Sequence, residues 1–135
     1  MKKIFLIIII IISLPALGSE IIDKRKQLFQ ENKDHMRFIY KAMQSGDMDP
    51  IINSAMAIEK FASEMPEYFP KGSESRGASD NIWSDFEGFI KSANANQLAA
   101  QQLRLAAQEN EIEKLNSLFN ELSNTCKSCH RSYKN

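Results

Sequence analysis

The sequence predicts an all-α protein, an antiparallel four-helix bundle. Three observations carry this. Apolar residues recur three and four apart through most of the chain, turn-forming residues cut that pattern into four stretches, and no stretch of comparable strength shows the period of two expected of a half-buried strand. The chain has no internal repeat.

Ahead of the helices, Lys2 and Lys3 precede an apolar run from Ile4 to Ile12, followed by Ser13-Leu14-Pro15 and the small-residue site Ala16-Leu17-Gly18. A charged start, a short greasy core and an A-x-A-like end describe a secretory signal peptide, and the run is too short for a membrane span. Residues 1–18 are therefore expected to be removed after Gly18, leaving residues 19–135 as one domain.

The first helix is expected from Glu20 to Gln44, with Ile21, Leu28, Phe29, Met36, Ile39 and Met43 on its apolar stripe and Ser45-Gly46 as its stop. The second is expected to start at Asp49-Pro50, an N-cap followed by proline, and to end before Pro66, with Ile51, Ala55, Ile58, Ala62 and Met65 inside. Pro70, Gly72 and Gly77 mark a loop from Pro66 to Ala78. The third helix is expected to open at Ser79 or Asp80 and to carry Ile82, Phe86, Phe89, Ile90, Ala93, Ala100, Leu103 and Ala107 inward. It should break at Gln108-Glu109-Asn110, where the asparagine can take a left-handed cap. The fourth shows the cleanest stripe, Ile112, Leu115, Phe119, Leu122, Cys126, Cys129 and Tyr133.

Charge narrows the function. Without Lys2 and Lys3 the 17 basic residues become 15 against 17 acidic ones, a formal charge of −2 with the signs interspersed. That balance gives no invitation to nucleic acid, and after the leader no apolar stretch is long enough to enter a membrane.

The chemistry lies at the end of the fourth helix. Cys126-Lys127-Ser128-Cys129-His130 contains the only two cysteines of the chain. A C-x-x-C-H pentad supplies two thiols that can add across the vinyl groups of a haem and an imidazole placed to bind its iron. On a helix the three side chains share one face. A redox disulfide would not need the histidine. A zinc site would need a fourth ligand, and the only other histidine is the remote His35. One covalent haem c per chain, with His130 as the metal ligand, is the expected cofactor.

With the pentad at the extreme C-terminus of an exported four-helix chain, the sequence resembles the class II c-type cytochromes, cytochrome c′ and its six-coordinate relatives, the cytochromes c-556. Ile82-Trp83-Ser84-Asp85, the segment Pro66 to Phe69, and Asp23-Lys24-Arg25 support the likeness. The resemblance implies that Cys126 and Cys129 hold the porphyrin by thioethers and that His130 is the proximal ligand. It implies that Arg25 lies near a haem propionate, with Lys26, Ser79 and Asp80 as weaker candidates for the same rim. Phe69, Trp83 and Phe86 become candidate aromatic walls, and Lys134 a candidate neighbour of the proximal imidazole. Four residues after Arg25, where the family supplies either a methionine ligand or an apolar side chain, stands Phe29. Phenylalanine has no lone pair to offer iron, so a five-coordinate periplasmic protein that binds small gases, nitric oxide and carbon monoxide, is expected. The alternative is a six-coordinate electron-transfer cytochrome of the c-556 type, with Met36 or another donor on the iron. No distal acid or base beside Phe29 points to an enzyme. A redox partner protein is expected, as is a homodimer through the first two helices with Ile22, Ile39 or Met43 on its face.

Overall fold

A computed structural model describes residues 15–135. The leader expected over residues 1–18 falls, through Leu14, outside the described residues. Four long helices form the bundle: α1 (Pro15–Ser45), α2 (Met48–Glu64), α4 (Phe86–Gln108) and α5 (Ile112–Tyr133), with a short α3 (Asn81–Ser84) before α4. No helix among the described residues is long and apolar enough to cross a membrane.

The turns follow the residues that allow them. At the end of α1 the chain reverses through Gly46, whose φ of 75° is a left-handed conformation open to glycine at little cost. The amides of Gly46 and Asp47 both donate to the Ala42 carbonyl. Asp47, rather than Asp49, caps α2: its carboxylate accepts from the Asp49 amide at 3.2 Å, so Pro50 sits inside the first turn. Pro66 ends α2 in a single 3-10 turn, Met65–Tyr68. Asn110, with φ 57°, makes the left-handed turn between α4 and α5 expected of it.

The expected third helix is in fact two. Asp85, with φ −127° and ψ 54°, leaves helical geometry and its carboxylate accepts from the Gly88 amide at 3.2 Å, capping α4 afresh. This break resets the register. Ile82 and Phe89 both point inward, whereas Phe86, at the first position of α4, is exposed. Ile112, expected inside, is exposed for the same kind of reason, as the first residue of α5.

Two apolar clusters fill the bundle. One joins Ile39, Ile51, Ile58, Leu103, Leu115 and Leu122 in the half that holds the two short turns. The other, around Phe61, Met65, Phe69, Ile82, Phe89 and Tyr133, occupies the opposite end. Ile39 is wholly buried, so it belongs to the core and not to a dimer face. The inner faces of α2 and α4 are rich in alanine: Ala55 and Ala62 on one, Ala93, Ala99, Ala100, Ala106 and Ala107 on the other. Small side chains let helix axes approach, and this is the most closely packed pair. Across it Arg104 meets Glu59 at 2.8 Å and Gln101 donates to the same carboxylate at 3.1 Å. Around the ring α1 packs on α2, α2 on α4, and α4 on α5. The fourth seam, between α1 and α5, opens into a cavity at the second cluster's end.

Candidate functional site

The cavity has a volume of about 660 Å³. It is bounded by the middle of α1, the end of α2, the segment 75–78, the start of α4 and the end of α5. An antiparallel bundle brings those termini to one end, which is why residues as distant in sequence as Phe29 and His130 share a wall.

Cys126, Cys129 and His130 all face the cavity. Both cysteines are free thiols, half-buried. Burial pushes the Cys129 thiol up to about 11, with the neighbouring Cys126 adding to it, and raises Cys126 as well, against hydrogen bonds from Asn96 and Thr125. At neutral pH both are therefore S–H groups. His130 is shifted down by desolvation and by Lys134 four residues on, which favours the neutral imidazole that a metal requires.

Across from α5, Phe29 presents its ring to the cavity, packed edge-on against Phe61 at 5.0 Å and Phe69 at 6.3 Å between centroids. Phe69 is buried and packs on Phe89 at 4.9 Å, so the aromatic residues form one continuous wall. Met36 lies on the same face of α1, seven residues and so about 10 Å along the axis from Phe29.

Arg25 lines the cavity but its terminal nitrogens are engaged elsewhere. Nη1 donates to the Tyr68 carbonyl (3.2 Å) and Ser73 Oγ (2.9 Å), and Nη2 to the Ser73 carbonyl (2.6 Å) and Ser75 Oγ (2.9 Å). The guanidinium also stacks over Phe69, 4.4 Å from its centroid. Arg25 thus fastens the loop after α2 to α1, and the exposed Lys26 beside it is left at the mouth.

Four residues expected at the site lie outside the cavity wall: Ser79, Asp80, Trp83 and Phe86. Ser79 Oγ accepts from the Asn81 amide, and the Ser79 amide donates to the Tyr133 carbonyl, so this turn caps α3 and ties it to the end of α5. Asp80 accepts backbone bonds within the same turn. Trp83 stands behind Phe69, its indole N–H donating to the Phe69 and Pro70 carbonyls at 3.1 Å each. Phe86 is turned outward by the break at Asp85. These residues brace the wall from behind.

Asn96, which belongs to no motif of the sequence, also stands on this wall. It is 4 % exposed and lines the cavity, donating to Thr125 Oγ1 (2.8 Å) and to Cys126 Sγ (3.4 Å), while its own carbonyl oxygen has no partner. A lone polar residue filling the gap between Ala93 and Ala100 on an otherwise apolar stripe was the available signal. Met65, 4 % exposed, is a second thioether on the wall. His35 does not line the cavity.

The donor set fits a covalent haem: two protonated thiols on adjacent turns, an imidazole beside them, an aromatic wall opposite, and cationic side chains at the mouth for acidic substituents. Comparison with known proteins agrees. The chain matches the Cytochrome C′ family over residues 20–134. It is 31 % identical over 84 residues to cytochrome c′ of Alcaligenes xylosoxydans xylosoxydans, spanning 62 % of this chain and 66 % of that protein. It is 26 % identical over 119 residues to cytochrome c′ of Pararhodospirillum photometricum, spanning 84 % and 94 %. Among solved structures, cytochrome c′ from Thermochromatium tepidum superposes with a TM-score of 0.79 at 22 % identity, covering 87 % of this chain and 95 % of the other. A nitric oxide complex of a mutant cytochrome c prime from Alcaligenes xylosoxidans gives 0.78 at 22 %, again over 87 % and 95 %. Those two likenesses show the fold, and the family match shows the rest: the chain belongs to the cytochrome c′ family and carries one covalently bound haem c.

Proposed function

We propose that this is an exported periplasmic protein, mature from residue 19, whose haem iron is five-coordinate and binds small uncharged gases, nitric oxide and carbon monoxide. Cys126 and Cys129 would hold the haem, each thiol adding its sulfur and proton across a vinyl group to give a thioether, and His130 would supply an imidazole nitrogen to the iron. So held, the haem would supply an iron able to bind a diatomic ligand.

The observation that carries the reading is Phe29. It stands on the wall facing α5, held by Phe61 and Phe69, with no atom able to coordinate. Its ring excludes water and large ligands and makes an incoming gas displace it, so the pocket selects small neutral molecules. The nitric oxide complex of a relative of the same fold is consistent with this. Lys26, with Lys134 near the imidazole, is assigned to the rim that neutralises the propionates. The mature protein pairs through α1 and α2, with Ile22 and Met43 as the remaining candidates for the contact.

Absorption and resonance Raman spectra of the ferrous protein test the reading, because they report coordination number. A high-spin, five-coordinate spectrum is expected. A low-spin, six-coordinate spectrum that turns high-spin in Met36→Leu would show that the thioether reaches the iron and that electron carriage is the better assignment.

A further inference from the structure

We propose that the mouth of the cavity is a docking face for an acidic one-electron carrier protein. This goes beyond gas binding, and rests on how charge is distributed rather than on its sum. Residues 15–135 carry 15 basic and 17 acidic groups, since Lys2 and Lys3 lie outside them, so the described protein is formally −2. Yet six of the residues lining the cavity are cationic, Arg25, Lys26, Lys33, Arg76, Lys127 and Lys134, and none is acidic. The groove that continues the α1 and α5 seam beyond Met36 adds Arg37 and Lys41, again without an acid in its lining.

Arg25 is bound to the loop, Lys26 lies 3.9 Å from Asp23, and Arg37 pairs with Asp34. Lys33, Arg76, Lys127 and Lys134 are exposed and take part in none of the ion pairs among the described residues. The two propionates of a haem would neutralise at most two of these four. From Ser123 to the C-terminus α5 and its tail hold Lys127, Arg131 and Lys134 and no carboxylate side chain. Lys127 sits between the two cysteines, so the surplus lies beside the residues that would hold the haem.

Solvated lysines that keep their water on contact suit a brief, steered encounter better than a tight complex. At physiological salt the field of a charge fades over about 8 Å, so a partner approaching this face feels the cations left over after the local pairing with Asp23, Asp34 and Glu74 before it feels the carboxylates of the other faces. In the exchange the carrier gives up one electron and the ferric protein takes it. No bond forms and no proton moves.

The test is the sign of a salt dependence. Ferrous holoprotein is mixed with hexacyanoferrate(III), an anionic oxidant, and separately with tris(phenanthroline)cobalt(III), a cationic one. The docking face requires the hexacyanoferrate rate to fall, by roughly tenfold between about 0.01 and 0.2 M ionic strength, and the cobalt rate to rise. The net charge alone requires the reverse, and that result would overturn the proposal. Lys127→Glu should flatten the hexacyanoferrate dependence, whereas Lys114→Glu, an equal change in net charge at the start of α5, should leave it intact. Equal effects of the two would also overturn it. If Lys127→Glu fails to take up haem, Lys33→Glu carries the same comparison. A binding readout is independent of electron transfer: titrating ¹⁵N-labelled holoprotein with an acidic flavodoxin should shift amides near Lys33, Arg76 and Lys127. Shifts confined to other faces would refute the assignment.

Discussion

Replacing Asp85 by alanine should be among the more damaging single changes outside the cavity wall, and the structure says why. One carboxylate oxygen accepts from the Gly88 amide at 3.2 Å and caps α4. The other accepts from the Tyr133 hydroxyl at 2.8 Å and ties α4 to the last turn of α5, three residues beyond His130. Loss of the cap costs about 1 kcal/mol. Tyr133 is only 9 % exposed, and losing its bond to Asp85, with Ser92 left as the remaining partner of the hydroxyl, costs about 1 kcal/mol more. Asp85→Ala should therefore destabilise the holoprotein by about 2 kcal/mol, a fall in Tm of roughly 8 °C for a domain of this size. Asp85→Asn keeps a cap and an acceptor and should cost under about 1 kcal/mol. Tyr133→Phe should cost about 1 kcal/mol, because the carboxylate it abandons is exposed and can turn to water. The two single changes break the same hydrogen bond, so Asp85→Ala/Tyr133→Phe should cost less than the sum by about 1 kcal/mol. Urea unfolding followed by circular dichroism measures all four proteins. Additive penalties would refute the reasoning, since they would mean the two groups do not interact. Gly88 belongs to the same knot. A Cβ there would lie 2.5 Å from the Tyr133 hydroxyl oxygen, so Gly88→Ala should destabilise even though alanine favours helix by about 1 kcal/mol.

Further outcomes follow from the same geometry. Haem should stay with the wild-type protein through acid-acetone extraction and leave the Cys126→Ala/Cys129→Ala pair; complete loss from the wild type would sink the attachment assignment. Phe29→Ala should speed carbon monoxide association and raise affinity, while Phe29→Met should push the iron toward six-coordinate, low-spin spectra; unchanged kinetics in the alanine variant would mean the ring does not guard the iron. Arg25→Ala removes four hydrogen bonds to the loop and should cost about 3 kcal/mol, with faster hydrogen exchange over residues 68–75, and Arg25→Lys should not restore it because an ammonium lacks the planar fork. Tyr133 has its pKa raised, chiefly by its hydrogen bond to Asp85, so its neutral form is the stabilised one. That contribution is complete below the unfolded tyrosine value of about 10 and is lost as pH climbs through the folded value. The stability gap between wild type and Tyr133→Phe should thus hold at pH 8 and shrink above pH 10.

Much of this architecture was legible in the chain because helix periodicity, Gly46, Pro66 and Asn110 each impose a local geometry that needs no partner. Cys126, Cys129 and His130 were legible for the same reason: on one helix, spacing alone fixes a common face. The errors arose where tertiary structure chose between local options. Asp47 and Asp49 both precede an apolar stripe, and only the turn after Gly46 decides which of them caps. Asp85 reads as one more polar position of a long helix until Tyr133, 48 residues away, supplies the contact that makes a break there worthwhile. Once the break exists, the angular position of everything beside it changes, which is why Phe86 faces out. Arg25 was found at the cavity, but its partners are serines and carbonyls of a loop whose path no periodicity describes.

The open seam is itself a consequence of residue size. Alanine on the facing sides of α2 and α4 draws those helices together, and the short turns at Gly46 and Asn110 then fix α1 and α5 to their partners. At the end where the turns lie, Ile39, Leu115 and Leu122 are large enough to fill the interior. At the other end the chain places Ser92, Ala93, Asn96 and two cysteines toward the space between α1 and α5, groups too small to meet across it. A bundle with a void of that size forfeits the contacts its lining would otherwise make. A haem held by Cys126 and Cys129 would thus serve as the fourth wall of the bundle as well as its chemistry, and the residues attaching it would do structural work by closing the seam between α1 and α5.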